Sequence, residues 1–537
     1  MLSYISSALI FVLALLFLIR ARNHKSSKLP LPPGPRKRFI VGNLFDIPSS
    51  FPWETYMEWS RRYDSDIIHL KAAGQSMIIL SSMQAAVDLL ERRSAIYSDR
   101  PQLTMANELM GWDFHLGKNT SSEVRHYVAD LILTAFMRYG EQWRAHRRLF
   151  QNTFQADAIK KFHSTELLSA HLLLRRILDD PENVLLHLRQ MAAEIVMSAA
   201  YGIDVLPVND PYVDLAEAAT DPMTRAVVPG AFLVDLIPLL RYIPEWFPGA
   251  GFKRKAREWK TLAQKMQEVP FEETKRRIAE SSAPHSFVSE ALDNLDSKDG
   301  ESSSQDREYW ERVIKATAGT MYSAGTDTTL SALATFILAM LANPEAQKKA
   351  QMEIDSIMAG KHAGGGQGLP SFDDEANLPY VSALVREVLR WRPVAPLGFP
   401  HVLSSAEDVY RGYRIPAGSV VISNLWAIFH DEAVFPHAYE FKPERFLLDP
   451  NLAKYADAAF GFGRRICPAR HLAFSTIWIA VASILATFDI TKPIGDDGQV
   501  IEPTHEYSGT AINFMPLPFK CSIKPRSKEV VSLIQAL

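Results

Sequence analysis

The sequence predicts a mainly α-helical domain with small β-sheets, an α+β fold, preceded by one apolar segment able to cross a membrane. Three observations carry this expectation. Helical hydrophobic periodicity dominates from about Gln142 to Met358. Short β-branched runs are confined to a stretch near residue 70 and to the C-terminal third. Leu2–Ile19 carries no charge and is mostly apolar.

Composition fits one large core. The chain has 537 residues, of which 47% are hydrophobic and 10% aromatic. A formal net charge of -3 gives no electrostatic basis for a nucleic-acid partner. Cys467 and Cys521 are the two cysteines, too few for a disulfide scaffold, and a reducing compartment follows.

In chain order, the first element is the apolar run with its core "ALIFVLALLFLI". A run of about 18 residues lies near the lower limit for a spanning helix. No Lys or Arg precedes it, and Arg20, Arg22, Lys25 and Lys28 follow. That order suits an uncleaved anchor with everything downstream on the cytosolic side. Residues 1–21 are therefore read as a transmembrane anchor and 22–45 as a Pro-rich, basic linker. Its prolines at 30, 32, 33 and 35 hold it extended and forbid helix. Residues 46–537 form the main body.

Within the body, "DIIHLKAAGQSMIILSS" alternates and reads as a strand pair. "LLSAHLLLRRILDD" and "TLSALATFILAMLANPEAQKKAQMEIDSI" read as helices. "KHAGGGQG" follows a helix instead of opening one, so it is a flexible loop and no phosphate cradle. "GYRIPAGSVVISNLWAIF" supplies short strands among loops, and "HLAFSTIWIAVASILATF" one more apolar helix.

The strongest chemical signal is "FGFGRRICPARHLA". Cys467 sits just before an apolar helix, close to Arg464 and Arg465, in a loop loosened by Gly461 and Gly463. A helix N-terminus and nearby guanidinium groups stabilise a thiolate. A thiolate so held can ligate haem iron and favour O–O cleavage. An isolated cysteine is more often inert core, but the surrounding pattern overturns that reading.

Here the sequence resembles the cytochrome P-450 family of haem-thiolate monooxygenases, in its fungal microsomal form. Phe460, Gly463, Arg465 and Cys467 match the family's ligand loop, while Ala469 stands where glycine is usual. Four further motifs follow the family's order. "EQWRAHRR" supplies Trp143 and Arg147, spaced i to i+4. "SAGTDTTLSA" lies inside a long helical pattern despite its poor helix formers. "EVLR" places Glu387 and Arg390 on one helix face, and "KPERF" adds Arg445. The resemblance implies that Cys467 is the axial iron ligand of haem b (iron protoporphyrin IX). It implies that Arg100, Trp143, Arg147, His401 and Arg465 hold the haem propionates, with Phe460 and Gly463 shaping the loop. Ala324 and Gly325 would leave room for O2 in a kinked helix, Thr328 would hydrogen-bond the reduced dioxygen, and Asp327 would relay protons. Glu387, Arg390 and Arg445 would form a buried structural triad.

The implied reaction is monooxygenation of a lipophilic small molecule, such as a terpenoid or polyketide secondary metabolite or an aromatic or steroid xenobiotic. Electrons would come from NADPH through a membrane-bound NADPH–cytochrome P-450 reductase; Arg144 and Arg148 lie on the helix that would face it, and a solvated basic face reads them equally well. The protein would be a single-pass protein of the endoplasmic reticulum membrane with its catalytic domain, 46–537, in the cytosol. The resemblance places the pocket near Met105–Trp112, Ala318, Tyr322, Ala324, Val394–Phe399, Ala511 and Ile512. An apolar pocket does not choose among lipophiles. Two other readings keep the thiolate-ligated haem: a peroxide-rearranging enzyme without a reductase, against which the Asp327–Thr328 pair argues, and a non-catalytic sensor or carrier.

One segment fits none of this. "GWDFHL" and "AFMRYGEQWR" are nearly contiguous in the family's form, yet 118–134 separates them here, polar and without clear period. Gly117-Lys118 can be encoded with a splice donor and Thr134-Ala135 with an acceptor, in frame. The segment reads as a retained intron in the gene model, with a pocket lid as the competing reading.

Overall fold

The computed structural model describes residues 29–39, 41–112, 134–227, 231–297, 304–363, 368–508 and 512–537. The expected anchor at 1–21 and residues 118–133 of the suspect segment lie outside them. The longer elements are, in chain order, α1 (Pro52–Arg62), β1 (Ile67–Ala72), β2 (Gln75–Leu80), α2 (Glu141–Phe154), α3 (His163–Asp179), α4 (Val184–Tyr201), α5 (Pro211–Ala226), α6 (Gly251–Ala279), α7 (Phe287–Asp296), α8 (Ser304–Ala342), α9 (Pro344–Ala363), α10 (Pro379–Trp391), β3 (His401–Val402), β4 (Asp408–Tyr410), β5 (Tyr413–Ile415), β6 (Val420–Ser423), α11 (Arg470–Thr487), β7 (Phe488–Thr491), β8 (Ser522–Pro525) and α12 (Lys528–Ala536). The mainly helical expectation holds.

The predicted strand pair is a tight hairpin. Ile67 pairs with Leu80 and Ala72 with Gln75, and Ala73 and Gly74 both take positive φ, 46° and 89°. Two left-handed turn residues match the twist of antiparallel strands. β6 adds to β2 in parallel and β3 to β6 antiparallel, giving the order β1-β2-β6-β3.

Two expectations change here. The described part of the Pro-rich segment is extended, but it is no free spacer. Pro33 and Pro30 accept main-chain hydrogen bonds from His69 and Arg414 at 2.9 and 2.8 Å. Gly34 lies so close to the hairpin that a Cβ would stand 2.3 Å from the His69 carbonyl oxygen. Proline carbonyls still accept hydrogen bonds, so the segment packs onto β1. The second change is at the end of "GYRIPAGSVVISNLWAIF". Leu425–Phe429 is a short helix, because the Asn424 side chain caps it by accepting from the Ala427 N–H.

α8 is the core element. Leu333, Phe336, Ile337, Leu338, Ala339 and Met340 are fully buried, so its C-terminal half is enclosed on every face. α8 and α11 are long and apolar enough to cross a membrane, but 72% of each apolar window is buried in the protein, which makes them core helices. α8 runs as an unbroken helix through Ser323–Thr329, where a kink was expected.

α10 places a charged triad behind the ligand loop. Glu387 and Arg390 are fully buried. Arg390 donates to both Glu387 carboxylate oxygens at 2.7 and 2.8 Å and to the Phe429 and Ala438 carbonyls at 2.8 and 2.9 Å. Arg445 donates to the same carboxylate at 3.2 Å, and the Lys442 N–H adds a bond of 2.8 Å. Two guanidinium groups thus share one carboxylate and also donate to five carbonyls, those of Phe429, Pro436, His437, Ala438 and Glu440. Removing one partner from such a buried cluster costs about 3–5 kcal/mol. Glu387→Gln keeps the shape and deletes the charge, so a loss of that size is expected in chemical denaturation. A change within 1 kcal/mol of the parent, roughly the scale of an exposed ion pair, would contradict this account.

Candidate active site

The loop before α11 is built by main-chain geometry. Gly461 and Gly463 take φ of 86° and 56°. A Cβ on Gly463 would stand 2.2 Å from the Leu90 carbonyl oxygen, so the loop is seated on the turn 87–92 through backbone alone. The Cys467 N–H donates to the Phe460 carbonyl at 2.8 Å. Ala469 has φ of -94°, open to any L-residue, so its departure from glycine costs nothing in backbone strain. Cys467 retains partial surface while protein surrounds it, as on the wall of an internal space. Burial pushes its thiol up, while the Ala469 N–H, Arg147 and Arg470 pull it down. A coordinated metal cation takes a thiol in its deprotonated form.

Three guanidinium groups converge beside this loop. Arg465 stacks on the Trp143 ring, 4.4 Å from its centroid. It donates to the Ser98 and Met137 carbonyls at 2.7 and 2.6 Å and to that of Thr134 at 3.3 Å. Arg100 donates to the carbonyls of Ala135, Phe399 and Pro400 at 2.7–2.8 Å. Arg147 donates to the Ile466 carbonyl at 2.5 Å, and its Nε has no partner among the described residues. His401 donates from Nδ1 to the Tyr97 carbonyl at 2.7 Å, which leaves Nε2 as the other ring nitrogen. All four side chains are less than 10% exposed.

Among the described residues, no carboxylate pairs with any of these three arginines. Burial lowers all three; Arg465 pushes Arg100 down, and burial with Arg147 takes Arg465 down to about 9, while the Asp99 carboxylate, not in ion-pair contact, opposes the shift at both Arg100 and Arg465. Burial, with Arg100 beside it, takes His401 well below its usual range. Buried cations without counter-charge are costly, and a ligand carrying two carboxylates next to the thiol would neutralise them. The donor set therefore fits a metal macrocycle with two acidic side arms.

On α8, Ala324 and Thr328 are exposed one turn apart, with half-buried residues between them and buried helix on either side. They share a face and border an internal space. Thr328 donates to the Ala324 carbonyl at 2.7 Å. Asp327 is half-buried. Burial raises its carboxyl above the ordinary range, Arg189 pulls it down and Glu217 pushes it up.

Gly325 plays a different part from the one expected. A Cβ there would stand 2.6 Å from Val196 Cγ2, so the glycine permits close packing of α8 on α4. Ala318 and Tyr322 also differ from the pocket expectation: they are buried, and the Tyr322 hydroxyl donates to the Tyr212 carbonyl. Met105 and Trp112 lie wholly in the same apolar cluster, while Phe399 meets Phe136 edge to face at 5.5 Å. Ala511 lies outside the described residues. Arg189 and Glu217 were not foreseen, because no sequence motif links α4, α5 and α8.

Helical layering around a cysteine loop, with an unneutralised cation cluster on one side and a polar helix turn on the other, defines a thiolate-ligated metal-macrocycle protein. Comparison with known proteins makes the class specific. The Cytochrome P450 family model matches residues 32–517. Cytochrome P450 monooxygenase 98 of Postia placenta is 46% identical over 95% of this chain and 93% of its own. Cytochrome P450 monooxygenase ple1 of Rhodocybe pseudopiperita is 44% identical over 96% and 93%. Tryptamine 4-monooxygenase of Psilocybe cyanescens is 39% identical over 97% of each chain. The chain belongs to the cytochrome P450 family and is a monooxygenase of that family, which uses haem and O2.

The cation cluster makes a prediction. Arg100→Met removes one buried charge and its three bonds to carbonyls. Haem loss to an apo-myoglobin acceptor is expected to quicken at least about tenfold, the scale of losing one buried charged hydrogen bond, and the unfolding midpoint of the ligand-free protein to fall as well. An unchanged haem-loss rate would refute the assignment.

Proposed function

We propose that the protein oxidises a lipophilic small molecule at haem b, with Cys467 as the axial iron ligand and Arg100, Trp143, Arg147, His401 and Arg465 around the propionates. The observation that carries this is a half-buried thiol with Arg147 beside it, in a loop where three buried arginines meet no carboxylate in ion-pair contact among the described residues. Bound there, haem supplies dioxygen activation and transfer of one oxygen atom to the substrate. Cys467 is held for that role by the Phe460 carbonyl, the Ala469 N–H and the Gly463 contact. Phe460 is partly buried against the core beneath it.

On the opposite side Thr328 and Ala324 border the substrate-facing space. Thr328 bonds the Ala324 carbonyl and can turn its hydroxyl to a bound oxygen, and Asp327, one residue away, delivers protons to that region. Electrons reach the protein from NADPH through NADPH–cytochrome P-450 reductase, and residues 1–21 anchor it to the endoplasmic reticulum membrane. The substrate is an apolar secondary metabolite or aromatic compound. A relative named for 4-monooxygenation of tryptamine supports an aromatic ring among the candidates.

The test is reconstitution of the holoprotein with a fungal reductase, NADPH and a panel of terpenoids, polyketides, steroids and indoles. Carbon monoxide added to the reduced protein should give the red-shifted absorption of thiolate-ligated haem, and Cys467→Ser should abolish it. NADPH-dependent product from at least one panel member is expected. A thiolate spectrum without any product would favour a sensor or carrier. Product formed from organic hydroperoxide alone would favour a rearranging enzyme.

We also read 118–134 as a retained intron. Its last residue, Thr134, offers its carbonyl to Arg465 and directs both its N–H and its hydroxyl to the Thr320 hydroxyl. A spliced chain keeps a main-chain N–H and carbonyl before Ala135 and loses only the threonine hydroxyl. Transcripts joining Leu116 to Ala135 are expected, and the shortened protein should retain haem at least as well as the long one. A sole transcript keeping these codons would defeat this reading.

A further inference from the structure

Asp327 is reached from the surface through a gap between α4, α5 and α8. Arg189 of α4 lies in it, with Nη1 at 2.9 Å from Glu217 Oε1 on α5 and at 3.7 Å from Asp327 Oδ1 on α8. Glu217 forms the rim, its side chain 59% exposed, while Arg189 and Asp327 lie deeper at 23% and 28%. Between the three helices is a cavity of about 20 Å³, walled by Arg189, Glu217, Thr220, Thr326 and Asp327 among others. That volume admits about one water molecule. Thr326 Oγ1, on the wall, has no partner among the described residues. The Asp327 carboxyl accepts no hydrogen bond within this set, so a water in the cavity would satisfy both.

We propose that Arg189 and Glu217 form a charge-coupled proton inlet to Asp327, in which one guanidinium is shared between an outer and an inner carboxylate across a single water site. When Arg189 leans on Glu217, the inner carboxyl is free to take a proton from the water. When it leans on Asp327, that carboxyl is held ionised and turned toward the inlet. Arg189 and Glu217 are thus positioning residues and touch neither cofactor nor substrate. The inference rests on the reading of Asp327 as the proton carrier.

Among the described residues, the charged groups that act on Asp327 are Arg189 from α4 and Glu217 from α5. Tyr322, on the same wall, keeps its proton and gives it to the Tyr212 carbonyl. The two neighbours act on Asp327 in opposite senses. Removing Arg189 raises the pH at which Asp327 loses its proton, and removing the Glu217 charge lowers it. Proton delivery fails once Asp327 is ionised, so the alkaline limb of activity moves up in the first variant and down in the second.

The experiment needs no known substrate. Reconstituted holoprotein with reductase oxidises NADPH in air. One O2 with two NADPH and two protons gives two waters, whereas one O2 with one NADPH and one proton gives hydrogen peroxide. The share of peroxide, read from NADPH, O2 and peroxide together across pH, reports proton supply. For Arg189→Met the pH at which peroxide rises should move up by about half a unit, and for Glu217→Gln down by about half a unit, modest shifts for a partly exposed charge. Glu217→Gln should also enlarge the solvent isotope effect at fixed pH. Both variants should keep the thiolate spectrum.

Shifts in the same direction, or none, overturn the inference. Asp327→Asn separates it from the reading beneath. If that variant supplies protons as well as the parent, the carrier role fails and the inlet with it. If it raises peroxide while the Arg189 and Glu217 variants behave as the parent, only the inlet fails. A parent that consumes no NADPH overturns both.

Discussion

Where positive charge is neutralised, and where it is left without counter-charge, decides how this molecule is arranged. Behind the cysteine loop, Arg390 and Arg445 share the Glu387 carboxylate and direct their remaining donors to carbonyls. Beside the loop, Arg100, Arg147 and Arg465 are also buried but hydrogen-bond carbonyl oxygens, and among the described residues Asp99 acts on two of them only from beyond ion-pair contact. The first cluster holds a carboxylate in direct contact and the second holds none among the described residues, and the proposed seating of a cofactor with two carboxylates rests on that difference.

The long helix α8 separates two chemistries by its faces. Thr328 and Ala324 turn to the internal space. Thr326 and Asp327 turn to α4 and α5, and Gly325 lets those helices approach. Neighbouring residues of one short motif therefore serve different neighbours. A glycine that reads as space for a diatomic gas is space for a valine methyl group.

Local spacing made much of the site legible. Glu387 and Arg390 lie on one helix face at i, i+3, and the cysteine loop announces itself by glycines that only a strained turn requires. Residues 67–80 read correctly as a hairpin because alternation and the Ala-Gly turn agree. Legibility ended where contacts are main-chain or long-range. The Pro-rich segment looked like a spacer because its docking uses carbonyl oxygens, which side-chain pattern does not report. Leu425–Phe429 looked extended because its helix depends on the Asn424 cap rather than on apolar period. Arg189 is separated from Asp327 by more than a hundred residues, and neither carries a motif for the other.

The seat of Gly463 on the Leu90 carbonyl has a consequence for how the protein can vary. That contact is made by peptide atoms on one side and a bare Cα on the other. The Leu90 side chain points into the apolar cluster that also holds Phe462, so exchange at 90 acts through packing, whereas a side chain at 463 would collide with the Leu90 carbonyl itself. Adjustment of the sulfur's environment is left to side chains that border it, such as Arg147 and Arg470, and cannot come from sliding the loop itself.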